Sequence, residues 1–331
     1  MPQHADVSTR LHALKNRLSL PMIGSPMFLA SGVDLVVAQC CAGIVGTFPT
    51  LNARTVADLA AWIDEIETRL AAFARRTGRT PAPYGVNLIV NEVNPRLDED
   101  LALCVERKVP IIITSLSAPD KVVEATRGYG GLVFHDVAQT AHARRAVAAG
   151  VDGLILVCAG AGGHAGSLSP FAFIEEVRQI HDGPLILAGA IANGRAILAA
   201  EILGCDLVYC GTVFIPAVEA ISPQEHKEMI VGAQARDILY TPLISGTHAN
   251  FLVPSIVAAG IDPDEAAFAR PRRMKGSAHE DRPKAWRDVW SAGQAVGQST
   301  DVLPAAEIVA RLAREYHQAR EDAAARLRGD L

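Results

Sequence analysis

Eight short apolar runs, each followed by a stretch of helical character, fill roughly the first 215 residues of this 331-residue chain. They are LSLPMIG (18–24), GIVGTF (43–48), YGVNLIV (84–90), VPIIITSL (109–116), GLVFHDV (131–137), GLILV (153–157), GPLILAGAI (183–191) and DLVYCGT (206–212). Most are continuous in Val, Ile and Leu rather than strictly alternating, as strands covered on both faces are. The longest intervening segment, 55–76, puts Leu59, Ile63, Ile66 and Leu70 on one helical face. Other helices are expected over 32–41, 97–107, 120–129, 138–149, from 170, and over 194–203, with Gly150 and Gly204 as stops. Strand–helix alternation calls for a parallel sheet. Eight repeats favour a closed (β/α)8 TIM barrel over an open doubly wound sheet.

The pattern changes after the eighth run. Residues 1–213 are expected to be the barrel, opening with a loose arm of about ten residues. Residues 214–302 read as a smaller helical accessory domain inserted after the eighth strand. Within it, 219–239 is helical, 271–283 is basic and irregular, and a helix begins in 285–296. The polar segment 245–255 (SGTHANFLVPS) is either a lid or a domain linker. Residues 303–331 carry a last amphipathic helix, with Ile308, Leu312 and Tyr316 on one face, expected to pack back on the barrel.

A net charge of −5 gives no electrostatic reason to expect nucleic acid or an anionic membrane as partner. The six cysteines show no CxxC spacing and mostly lie in apolar runs, as reduced core thiols do in a cytoplasmic protein. No zinc or other metal site is expected from them. The N-terminus is polar, and no apolar run approaches the roughly 18 residues of a membrane span.

In such a barrel, chemistry sits at the C-terminal ends of the strands. The first strand delivers Met27 there, the third Asn87, and the fourth Thr114 and Ser115. The fifth delivers His135 and Asp136, and the sixth Cys158 and His164. The last two deliver Gly189 with Ala190 and Gly211 with Thr212. The sixth strand opens into AGAGGHAG (159–166), where Gly162 and Gly163 keep side chains away from a ligand and His164 is the one titratable group. Three readings are open for this loop: a glycine-rich turn with an incidental histidine, a dinucleotide fingerprint, or a catalytic histidine. The second is weakened because the third glycine is displaced to Gly166 and the loop follows the sixth strand rather than the first. Small residues after the last two strands, Gly189–Ala190 and Gly211–Thr212, suit a phosphate. Asn87 suits a heterocycle edge, or is a buried amide satisfied by neighbouring strands. Met27 suits a ring face, or is core filler. His135 points into the barrel mouth or caps a layer. A phosphate pocket, an amide near a ring and a histidine over a glycine floor together suggest a phosphorylated heterocycle, best matched by flavin mononucleotide (FMN).

With these residues collected, the chain resembles the nitronate monooxygenases, a flavin family also called 2-nitropropane dioxygenases. The resemblance runs from about residue 21 to 297 and rests on motifs in order: PMIGSPM, YGVN, AGGHAG, LAGAIANG, CGTVF, GTHANFLVPSI and WSAGQ. It implies an FMN-binding barrel with a helical domain that oxidatively denitrifies alkyl nitronates or nitroalkanes with O2, without a reduced pyridine nucleotide. It implies that His164 is the active-site histidine. Met27, Asn87, Gly189, Ala190, Gly211 and Thr212 match flavin-contacting positions, and Ser291, Ala292 and Gly293 approach the flavin from the accessory domain. Two departures stand out: His135 where many relatives carry a fifth-strand lysine, and Val157 where many carry an acidic residue. The same plan resembles flavin enoyl-thioester and quinone reductases, so an FMN-dependent NAD(P)H reductase is the alternative. A flavin-free binding or scaffold barrel is a third reading. The assembly considered is a homodimer.

Overall fold

The computed structural model describes residues 2–91, 94–268 and 283–329, with side chains from residue 7 onward. The first nine strands are β1 (Met22–Gly24), β2 (Gly46–Pro49), β3 (Tyr84–Val90), β4 (Ile111–Leu116), β5 (Leu132–Val137), β6 (Gly153–Val157), β7 (Gly163–His164), β8 (Leu185–Ala188) and β9 (Leu207–Cys210). All but β7 form one parallel eight-stranded sheet in the order β1-β9-β8-β6-β5-β4-β3-β2. Its two ends meet through a parallel bridge between Ile23 and Val45, where the Gly24 amide donates to the Val45 carbonyl at 2.7 Å. The sheet is therefore a barrel, and the (β/α)8 expectation holds.

The interleaved helices are α1 (Pro2–Lys15), α2 (Val33–Ala42), α3 (Val56–Thr77), α4 (Leu97–Glu106), α5 (Asp120–Arg127), α6 (Thr140–Ala149), α7 (Pro170–Arg178) and α8 (Gly194–Ile202). Local chemistry sets their ends. Thr55 and Asp58 form a reciprocal capping box at the start of α3, and Gly78 ends it in the left-handed conformation at φ 70°.

Strand side chains alternate between two apolar layers. Ile23, Val45, Ile113, Phe134, Ile155 and Ile186 fill the barrel interior. Val86, Ile112, Val133, Leu154, Leu187 and Val208 pack outward, in the layer that holds Leu59 and Ile63 of α3. This alternation fixes the fifth strand. Phe134 points inward, so Asp136 shares its face, whereas His135 goes with Val133 and Val137 to the outside.

The N-terminal arm is not loose. It is α1, and Leu11 and Leu14 join the interior layer with Ile111, Leu132 and Leu207. Arg10 fixes it through a 2.7 Å ion pair with Asp152. Two leucines on an otherwise polar helix plug one end of the barrel, too sparse a pattern to stand out in the sequence.

The insertion after β9 is only partly helical. It carries α9 (Gln224–Gly232), β10 (Ile238–Thr241), β11 (Ala249–Leu252), α10 (Val253–Ala258) and α11 (Pro263–Ala267). Strands β10 and β11 pair antiparallel, and β11 pairs with β7 of the barrel loop: Ala249 lies opposite His164, and Asn250 opposite Gly163. The expected long helix over 219–239 is thus cut to α9, and segment 245–255 is largely strand and helix rather than loop. The helix expected from 285 is instead a tight turn closed by an Ala285–Val289 bridge. Residues 271–282 of the basic stretch lie outside the described residues.

The final helix, α12 (Ala305–Arg328), lies against α2 and α8, and Ile308, Val309, Leu312 and Tyr316 enter the outer core. The Gly194 amide donates to Glu315 at 2.9 Å, and the Tyr316 hydroxyl donates to Glu201 at 2.6 Å. Among the described residues no helix is long and apolar enough to cross a membrane, and no cluster of His, Cys, Asp and Glu could hold a metal ion. The six cysteines are free thiols.

Candidate active site

The loop after β6 reaches the barrel mouth and turns into β7, which makes it a strand of the second sheet. Three hydrogen bonds clamp it. Asn250, buried on β11, donates through its side-chain amide to the Ala161 carbonyl at 2.6 Å. Ser291 Oγ accepts from the Gly163 amide at 2.6 Å and donates to the Asn250 carbonyl at 2.7 Å. Beside them, the Gly293 amide donates to Thr212 Oγ1 at 2.8 Å. Gly162, Gly163, Thr212, Ser291 and Gly293 are therefore brought together as one junction between barrel and insertion. The glycines are required by contact: a Cβ on Gly162 would lie 2.9 Å from the Gly293 nitrogen, and one on Gly293 2.6 Å from the Gly160 carbonyl oxygen.

Removing the shared hydroxyl leaves the Gly163 amide without its acceptor. Ser291→Ala is expected to cost about 1–3 kcal/mol. Urea unfolding of the two proteins measures this, and an unchanged midpoint would show that water replaces the hydroxyl.

His164 stands on this clamp and is exposed. Trp286 meets it edge-on, with ring centroids 5.0 Å apart and planes at 67°. Phe28 lies 6.5 Å from Trp286 at 89°, and Phe251 6.1 Å from it. The surrounding protein desolvates the imidazolium, which lowers the His164 pKa below its ordinary value. The ring is thus neutral at pH 7, with one nitrogen able to donate and the other able to accept.

Four of the five non-glycine residues with positive φ among the described residues lie where strands leave the barrel or beside His164: Leu29 (57°), Leu116 (78°), Ala190 (53°) and Trp286 (63°). Backbone strain of this kind persists where surrounding structure enforces it, commonly at ligand sites. Gly189, at φ 140°, and Ala190 form a sharp turn after β8. Next to it, Gly211 and Thr212 lead from β9 into a 3-10 turn, Thr212–Phe214, whose first amides have no intrahelical acceptor. Met27 packs on both the barrel core and the insertion, and it limits the space at Gly211, where a Cβ would come 3.4 Å from the sulfur. Asn87 is buried on the inner face of β3 and donates to the Ile113 carbonyl at 3.3 Å, which leaves its own carbonyl oxygen for the mouth.

His135 is not at the mouth. It lies 3% exposed on the outer face of β5, its Nδ1 2.8 Å from Thr114 Oγ1. Burial and the nearby His142 hold its pKa down at about 4. The strand register decides this, and the inward position beside it belongs to Asp136.

Open amides after β9, the sharp Gly189–Ala190 turn after β8, a carbonyl oxygen from Asn87, glycine-lined backbone and a single neutral imidazole fit a flat ring that carries a phosphate. Sequence reasoning missed Asn250, Trp286 and Phe28. Asn250 sits inside a quoted motif, and its placement before Phe251 in an apolar run was the available signal. Trp286 gave none.

The nitronate monooxygenase family model matches residues 29–315. A nitronate monooxygenase of Paraburkholderia phytofirmans is 30% identical over 238 residues, an alignment that covers 67% of this chain and 64% of that protein's length. The structure of FabK from Thermotoga maritima superposes with a TM-score of 0.76 at 26% identity, covering 97% of this chain and 99% of that one. A nitroalkane oxidase from Streptomyces ansochromogenes shares the fold, with a TM-score of 0.74 at 24% identity over 94% of this chain and 99% of that one. With a family match over most of its length, the chain belongs to the nitronate monooxygenase family.

Proposed function

We propose that this protein is an FMN-dependent oxidoreductase that converts alkyl nitronates, with O2, to a carbonyl compound and nitrite. The observation that carries the reading is the clamp that presents a neutral His164 at the barrel mouth. FMN, when bound, supplies the electron acceptor and the link to O2. The amides of the Gly189–Ala190 and Gly211–Thr212 turns would hold its phosphate, and Asn87 and Met27 would meet its ring. His164 does the proton work. Its donor nitrogen holds a nitronate oxygen, and its acceptor nitrogen takes the α-proton of a neutral nitroalkane. Trp286 walls one side of the imidazole.

Because burial lowers the His164 pKa, the basic form is already dominant at neutral pH. Activity on a neutral nitroalkane is expected to be level through neutral pH and to fall only on the acid side of an ordinary imidazole's titration, as the imidazole gains a proton. A kcat/KM profile checks this; a rise continuing above pH 8 would assign the base to another group.

The proposal as a whole is tested by anaerobic titration of the yellow protein with ethylnitronate, NADH and NADPH in separate cuvettes. Bleaching by nitronate alone is expected. Bleaching by a nicotinamide within seconds would identify an NAD(P)H-dependent reductase on the same scaffold.

A further inference from the structure

Asp136 is the inward-facing acidic residue at the end of β5. It lies on the same strand face as Leu132 and Phe134, level with Ile155 of β6. Its Oδ1 is fully buried and has no hydrogen-bond partner. No ion pair involving it occurs among the described residues; Tyr209 of β9 is close enough that its pKa is driven well above its usual value by burial and then by the Asp136 charge. Neighbouring His135 points to the other side of the strand. The fold thus leaves a carboxyl group at the floor of the mouth, two strands from Asn87, with no partner for its Oδ1 among the described residues.

We propose that Asp136, at the barrel mouth, donates a hydrogen bond to an acceptor on the edge of the bound flavin ring. This rests on the FMN reading above. The pyrimidine edge of an oxidised flavin presents two carbonyl oxygens and N1 as acceptors and N3–H as its one donor; a carboxylic acid complements the acceptors, which a carboxylate repels. Burial alone pushes the Asp136 pKa up to about 7, so the acid form is present without any cation nearby. A ligand that accepts from the acid raises this pKa further. Its affinity is then constant below the free-protein pKa and falls above it, by up to about tenfold per pH unit until the pKa of the complex is reached.

The experiment is FMN titration into flavin-depleted full-length protein from pH 5.5 to 9, read by quenching of flavin fluorescence. The wild type and Asp136→Asn are compared. The asparagine keeps a donor and the shape but cannot ionise. Titration of the FMN phosphate near pH 6 and of His164 affects both proteins alike, so the ratio of their affinities isolates Asp136. A ratio that is level below about pH 7 and then moves against the wild type supports the proposal. Identical profiles, or a wild-type affinity that rises with pH because the carboxylate accepts from the ring, overturn it while leaving the FMN reading intact. Absence of FMN binding at every pH overturns both.

Discussion

Replacing His164 by asparagine is expected to leave FMN bound and to lower turnover of neutral nitroethane by about 10²–10⁴-fold, the usual worth of a positioned general base. Asparagine keeps a donor near the position of the imidazole but offers no basic nitrogen. Ethylnitronate, which has already lost its α-proton, should suffer less. The contrast between the two substrates is the informative quantity, measured as O2 consumption at matched pH. The imidazole is a suitable base because its surroundings hold it neutral, and it is positioned by backbone rather than side-chain packing, since β7 is tied to β11 at Ala249 and Asn250. The variant should therefore fold normally. Undiminished nitroethane turnover would remove His164 from the mechanism.

The second large effect concerns stability. Gly194→Ala is expected to destabilise the protein by about 3 kcal/mol, the upper end of ordinary overpacking. Gly194 opens α8 where it crosses α12, and a Cβ there would overlap the Tyr316 backbone nitrogen and the Glu315 carbonyl carbon. A flexible side chain could move aside, but helix backbone cannot without displacing Ile308, Val309, Leu312 and Tyr316 from the core. Gly232→Ala is the control, because nothing lies within 4 Å of a Cβ at that helix end. A drop in urea midpoint for the first and none for the second is expected. Equal behaviour would mean that α12 yields easily.

The barrel was legible because its strands are covered on both sides and so appear as unbroken apolar runs. The runs Tyr84–Val90 and Gly153–Val157 match the observed strands residue for residue. The helices were legible where one face is apolar, as in α3, or where glycine stops them, as at Gly150. The insertion was misread because β10 and β11 are only four residues each and one of their partners, β7, lies about 85 residues earlier in the chain. A strand that short has no periodicity to detect and is defined by what it pairs with. In the site, His164 and the glycines around it could be singled out because composition marks them. His135 could not be placed, since on a strand buried on both faces adjacent residues differ only in which layer they enter. Tertiary register, not residue type, gives the mouth to Asp136.

The shared edge between β7 and β11 has a consequence for how this family can vary. Binding loops on a barrel are usually separable, so one can be exchanged without disturbing another. Here the backbone bearing the histidine is completed by the same segment that brings Trp286 and Ser291 to it. Recombining the insertion with a foreign barrel therefore transplants half of the strand pair that presents His164, and the histidine's backbone and its tryptophan wall must be inherited together.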